Sequence, residues 1–217
     1  MGRGRLTEEA YRYLRDAIMR GEAPTGSVLA ETDLARRLGS SRTPVRHALG
    51  LLLKEGLLEV GPRRQLIVRG FTPEHRAEIL MLREALESAA VRRACEVMAV
   101  EEIDYLRLLL IRQRRAAREA LGDDFLDLDE EFHLKISEGA QLPILRGFLG
   151  QLRGFVRVAR LGAKRPPAVL AQVVDEHERL VDALERRDVD EALAVLAEHL
   201  HRSDYALERP EPAGAAR

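Results

Sequence analysis

Four side chains in the second half of the chain carry donor types suited to metal chemistry. Asp129 and His133 stand one helical turn apart in DEEFH, so a helix puts both on one side. His177 falls in the stripe His177, Leu180, Val181, Leu184, and His199 in the stripe Ala192, Val195, Leu196, His199. An imidazole on an inward helix face needs a partner. Three imidazoles with a carboxylate, drawn from three helices, match the ligands of a divalent-metal site. Spacing alone leaves a competing reading open, that of unrelated buried polar groups. His201 lies on a more polar side and is read as solvent-facing, and His75 has no assigned role.

A second cluster lies in the first third. Arg42 and Arg46 are four residues apart, flanked by Ser41, Thr43 and His47. The arginine fork pairs with guanine or grips phosphate. The elements that must position it follow from local signals. Thr7 is read as capping a first helix, with Glu8 and Glu9 in its first turn. Ala10, Leu14, Ala17 and Ile18 share its inner face, and Gly21 ends it. After the loop EAPTGSVL a short helix covers 31–38, with Leu34, Ala35 and Leu38 inward. Gly39 makes the turn, Ser41 is an N-cap, and Pro44 sits in the next helix's first turn, where its missing N–H costs nothing. Val45, Ala48, Leu49 and Leu52 form the buried stripe, which turns Arg42 and Arg46 away from it. The runs LLEV and QLIV, joined by GPRR, read as a two-strand wing tipped by Arg63 and Arg64. Short helix, turn, arginine-led helix and basic hairpin in that order favour a DNA reader over a merely solvated basic face.

From Pro73 onward the pattern is helical, with segments near 73–98, 101–121, 123–138, 142–160, 167–187 and 188–207. Neither strand alternation nor a glycine-rich phosphate loop interrupts it. The net charge of −1 hides an asymmetry. Residues 1–71 hold 13 Lys and Arg against 8 Asp and Glu, net +5, while residues 72–217 hold 22 against 28, net −6. Two domains with different partners are expected, 1–71 and 72–217. The single cysteine, Cys95, excludes an intramolecular disulfide and reads as a buried structural thiol. With no signal-peptide core and no long apolar run, a cytoplasmic location without membrane association is expected.

The stretches YRYLRDAIMRGE and ETDLARRLGSSRTPVRHALGLLLKEGLLE resemble the winged helix-turn-helix of the GntR family of bacterial transcription regulators, over about Leu6 to Arg69. The resemblance implies that Ser41, Arg42, Thr43 and Arg46 contact double-stranded operator DNA, with His47 beside them and Arg64 helping from the wing. Three positions depart from the usual pattern: Thr32 stands where many members have a DNA-contacting Arg, His47 replaces Glu, and Gln65 replaces a wing Gly. These changes point to an altered operator sequence. LREALESAA, DEEFH, DEHERLVDALERRDVDEA and EHL resemble the C-terminal domain of the fatty-acid-regulator (FCD) branch of that family, over about Thr72 to Leu207. Members with the Asp/His set bind a metal, often zinc or nickel, and effector carboxylates complete its coordination. Asp129, His133, His177 and His199 match that set in full.

The expected fold is therefore mainly α, an N-terminal winged helix-turn-helix followed by a C-terminal antiparallel all-helical bundle. The expected function is that of a metabolite-responsive DNA-binding transcription regulator, a repressor acting as a homodimer and not an enzyme. An open metal position suits a small carboxylate effector, with Arg83 as its second anchor; a salt bridge from Arg83 to Glu87 is the competing role. Arg153 and Arg157 are further candidates of the same kind, and Gln141 stands where many members have Asn. Three alternatives stay open at this point: a regulator that senses the metal itself, a structural metal, and a metal-dependent hydrolase.

Overall fold

The computed structural model describes residues 2–159 and 166–208, with side chains over 5–158 and 166–202. The chain divides into two units, Met1–Thr72 with Gly154–Gly162, and Pro73–Arg153 with Ala163–Arg217.

The first unit opens with α1, Gly2–Met19. Thr7 does not cap it, because the helix begins five residues earlier. The pairs Arg5–Glu9 and Glu8–Arg12, at 3.1 and 2.9 Å, support that longer helix at one-turn spacing. Ala10, Leu14 and Ile18 form its buried edge, while Ala17 is half-buried. Next come α2 (Glu31–Arg37) and α3 (Arg42–Lys54). Glu31 and Asp33 in the first turn of α2 complement its dipole. Gly39 takes a φ of 58° in the connecting turn, a left-handed conformation that glycine adopts without steric cost. Ser41 occupies the N-cap position of α3 in extended conformation, but its side chain makes no capping hydrogen bond. Its hydroxyl is thus not committed to the helix end. Val45, Ala48, Leu49 and Leu52 are fully buried against α1.

Strands β1 (Leu58–Val60) and β2 (Leu66–Val68) pair antiparallel, with Leu58 opposite Val68 and Val60 opposite Leu66. The turn between them closes through Gly61 N–H to Gln65 O and Arg64 N–H to Gly61 O, at 2.8 and 2.9 Å. The segment read from sequence as a plain loop adds an edge to this wing: Val28 bridges Ile67, and Leu29 N–H donates to Leu66 O at 2.9 Å.

The second unit is a bundle of α4 (Pro73–Val97), α5 (Val100–Arg118), α6 (Gly122–Gly139), α7 (Pro143–Ala159) as far as Arg153, α8 (Pro167–Glu185) and α9 (Val189–Glu208); from Gly154 onward α7 belongs to the first unit. Helix α4 packs on α9 and α6, α5 on α8 and α6, and α8 on α9. Leu106, Leu109, Phe125, Phe132, Leu180, Val181 and Val195 fill the centre. Arg187, in the turn between α8 and α9, donates to the carbonyls of Cys95 and Met98 at 2.9 Å each, satisfying acceptors near the end of α4. Cys95 is buried and unpaired. The inner stripe of α4 is unusual: Ile79, Ala90, Val91 and Ala94 are joined there by Arg83 and Glu87, both 3% exposed. A charged pair at core positions is costly unless other groups satisfy it, and those groups form the site.

Candidate functional site

Helix α6 delivers Asp129 and His133 to the bundle interior one turn apart, α8 delivers His177 and α9 delivers His199. All four are buried, and one ligating atom from each lies within 4.8 Å of the others. Phe132 stacks on the His177 ring, with centroids 4.1 Å apart, which fixes that imidazole's plane.

The outer nitrogen of every imidazole is already engaged. His133 Nδ1 lies 2.6 Å from Glu87 Oε2, and His199 Nδ1 lies 2.9 Å from Glu176 Oε2. His177 Nδ1 lies 2.9 Å from Gln113 Oε1. The Gln113 amide is itself oriented, because its Nε2 donates to Leu128 O at 3.0 Å. Each partner atom is an acceptor, so each Nδ1 carries the proton and each Nε2 presents a lone pair. Those three Nε2 atoms are buried and have no hydrogen-bond partner. His133 Nε2 and His177 Nε2 lie 3.9 and 3.7 Å from Asp129 Oδ1. Burial pushes all three imidazole pKa values down. The neighbouring histidines add to this for His177 and His199, and Arg153 adds to it for His133. The rings are therefore neutral, the state in which imidazole binds metal.

Two guanidinium groups balance the carboxylates. Arg83 Nε donates to Glu87 Oε1 at 2.8 Å, and Arg153 Nη2 donates to Asp129 Oδ2. Arg153 Nη1 is 3.5 Å from Glu87 Oε1. Burial alone would raise the Glu87 carboxyl, but Arg83 and His133 hold it well below the usual carboxylate range. Arg83 Nη2 and Arg153 Nη1 remain buried without a hydrogen-bond partner. The salt bridge to Glu87 foreseen for Arg83 thus exists, and part of the fork is left over. Arg157 is elsewhere: its Nε donates to Met19 O at 3.1 Å within the first unit. Gln141 is exposed in the turn after α6, with a φ of 58°. His201 is exposed as read and pairs with Glu84 at 2.9 Å.

The donor set fits a divalent ion. Three lone pairs and a carboxylate oxygen converge, each imidazole is held by an outer acceptor, and all four ligands are buried. Of the supporting residues, sequence reading named Glu87 only as a partner for Arg83, and missed Gln113 and Glu176. The signal for Gln113 was an amide inside the apolar stripe Leu106, Leu109, Leu110, Ala116, Ala117.

In the first unit, Ser41 at the N-cap and Arg42, Thr43, Arg46 and His47 on the first two turns of α3 are all exposed, away from its buried stripe. Arg64 is exposed at the wing tip with a φ of 58°. Arg46 has a partner that sequence reading did not foresee. Glu31 at the start of α2 accepts from its Nε at 2.9 Å and from its Nη2 at 2.8 Å.

Known proteins share this organisation. The family described as bacterial regulatory proteins, gntR family, matches residues 6–68, and the FCD domain matches residues 78–202. The HTH-type transcriptional repressor RspR of Escherichia coli K12 is 28% identical over 198 residues, covering 90% of this chain and 86% of that protein. An HTH-type transcriptional regulator in an unstable DNA locus of Streptomyces ambofaciens is 31% identical over 204 residues, covering 93% of this chain and 84% of that protein. The solved structure of E. coli McbR/YncC superposes with a TM-score of 0.83 at 27% identity, covering 93% and 96% of the two chains. No helix among the described residues is long and apolar enough to cross a membrane. FCD domains bind metal, and the buried Asp129/His133/His177/His199 group is one that could hold an ion. The relatives regulate transcription and are not enzymes, so a hydrolytic reading of the metal ligands falls away. A basic winged helix-turn-helix followed by an FCD bundle makes this chain a member of the GntR family, a DNA-binding transcription regulator of the FCD type.

Proposed function

We propose that the chain is a metabolite-responsive repressor whose C-terminal bundle holds a zinc or nickel ion and a small carboxylate effector. Asp129, His133, His177 and His199 would hold the ion, which supplies a positive centre for an effector carboxylate. Nitrogen-rich sets with one carboxylate suit both metals. The observation that carries the reading is the trio of buried Nε2 lone pairs aimed at one point, each with its Nδ1 already engaged. Core histidines with a purely structural role would use both nitrogens. Arg83, with a buried Nη2 beyond its bond to Glu87, supports an anionic effector.

Ser41, Arg42, Thr43, Arg46 and His47 on α3, with Arg64 on the wing, are the proposed DNA contacts. A homodimer would place two such readers on a pseudo-palindromic operator. Repression is favoured by the similarity to RspR, a transcriptional repressor. An effector that changes operator occupancy tenfold must discriminate between the two protein states by about 1.4 kcal/mol.

Elemental analysis of protein purified without chelators tests the centre. Wild type is expected to carry about one equivalent of zinc or nickel per chain, and His133→Ala with His177→Ala to carry none. Equal metal content in both would overturn the assignment. A regulator that reads the metal itself is distinguished by titrating operator affinity with metal at fixed carboxylate, and the reverse.

A further inference from the structure

We infer that Glu31 is a positioning residue for DNA recognition: it decides which edge of the Arg46 guanidinium is offered to the bases. This deepens the proposed role of α3 as the recognition helix and rests on it. Glu31 Oε1 accepts from Arg46 Nε at 2.9 Å, while Oε2 accepts from Nε at 3.1 Å and from Nη2 at 2.8 Å. The carboxylate thus occupies the whole Nε–Nη2 edge of the planar group. A guanidinium has two edges able to make paired parallel hydrogen bonds. With the side edge taken, the end edge, Nη1 with the second hydrogen of Nη2, is the one left. That edge matches the O6 and N7 acceptors of guanine.

An unrestrained arginine on a long flexible stem can grip phosphate on any sequence. The clamp removes that freedom. It also sets a negative charge beside the cation, and Arg42 lies close enough to feel the same carboxylate. The pair then contributes little net charge to the sequence-independent attraction that dominates non-specific binding. The Arg46 side chain remains 66% exposed, against 31% for Glu31, so the cation faces outward from a sheltered anchor. An exposed ion pair adds little to folding, so stability does not account for the clamp. Thr32, next in the chain, has no guanidinium to share the base contact, and the arginines of α2, Arg36 and Arg37, lie in its last turn.

The probes are duplexes selected by the wild-type chain from a random-sequence library, and the same duplexes with scrambled half-sites. Affinities are measured across a range of salt concentrations. Arg46→Ala is expected to weaken binding to the selected duplex. Glu31→Gln is expected to tighten binding to the scrambled duplex several-fold and to steepen its salt dependence by about one phosphate contact. The ratio of selected to scrambled affinity should fall by about tenfold. Glu31→Asp keeps the charge but cannot span both nitrogens, so it should lose the ratio without the steeper salt dependence. In an Arg46→Ala background, Glu31→Gln should leave the ratio unchanged, because the effect runs through Arg46. A preserved ratio in Glu31→Gln or Glu31→Asp overturns the inference, as does an equal loss with and without Arg46. If Arg46→Ala itself leaves selected binding intact, the recognition-helix reading fails and takes this one with it. If Arg46→Ala weakens binding while Glu31→Gln keeps the ratio, the positioning role alone fails.

Discussion

Gln113 and Glu176 are the same kind of device in different chemistry. Each accepts from the Nδ1 of a candidate ligand histidine at 2.9 Å, and so fixes the tautomer that points Nε2 inward. The carboxylate also strengthens the donor power of His199, whereas the amide only orients His177. Outer partners of this kind are worth roughly ten- to a hundredfold in metal affinity. Gln113→Leu keeps the volume but leaves a buried N–H without an acceptor and frees Leu128 O. Glu176→Gln keeps an acceptor at the same place and removes the charge, which also releases Arg202 from its 3.0 Å contact with Glu176 Oε1. Competition against a chromophoric chelator should show the larger loss of affinity in Gln113→Leu, with a smaller one in Glu176→Gln. Equal affinity in all three proteins would mean that these residues serve packing and not the ligands.

Helices α6, α8 and α9 meet so that three imidazoles share one buried space, and this makes the bundle sensitive to acid. Burial first, then mutual repulsion for His177 and His199 and the Arg153 charge for His133, holds their pKa values below the ordinary value of about 6.5. Above that value neither the folded nor the unfolded chain protonates them. Below it the unfolded chain takes up protons that the folded one refuses, so stability falls as pH drops. Glu87, held low, adds a loss in the same direction once pH falls below the ordinary carboxylate range. Metal-free protein should therefore melt at a lower temperature at pH 5.5 than at pH 7.5, and a flat profile across that window would contradict the neutral-imidazole assignment. Much of this scale was legible in the sequence. The bundle helices follow from apolar periodicity with breaks near Gly122, Gly139 and Pro167, and the inward stripes of α8 and α9 already placed His177 and His199. What escaped were relations between elements. The bridge from Val28 to Ile67 is made by backbone and leaves no side-chain pattern. Glu31 and Arg46 are fifteen residues apart, on different helices, so no periodicity couples them. Glu176 carries no signal of its own in DEHER, and only the packing of α9 sets His199 against it. Thr7 misled because the one-turn pair Arg5–Glu9 supports α1 on the N-terminal side of that start signal.

At the scale of the whole molecule, one winged reader offers few base contacts, and a dimer multiplies them by binding two half-sites at once. Helix α7 carries an exposed apolar edge. Ile144 and Phe148 lie one turn apart and are 78% and 60% exposed. Two large apolar side chains on one helix edge cost free energy in water unless something covers them. In a family of regulators that typically dimerise, a second copy of the chain is the natural cover. Glutamate at both positions would keep the helix, since neither side chain contributes to the buried core, while placing charge where apolar contact is needed. Light scattering should give twice the chain mass for wild type and a single-chain mass for Ile144→Glu with Phe148→Glu, at unchanged melting of the dilute protein. Operator affinity should fall in parallel, because each reader must then bind alone. A variant that keeps the double mass would move the interface to another face, and the next surface to test is α5, where Leu108 and Ile111 are 49% and 66% exposed.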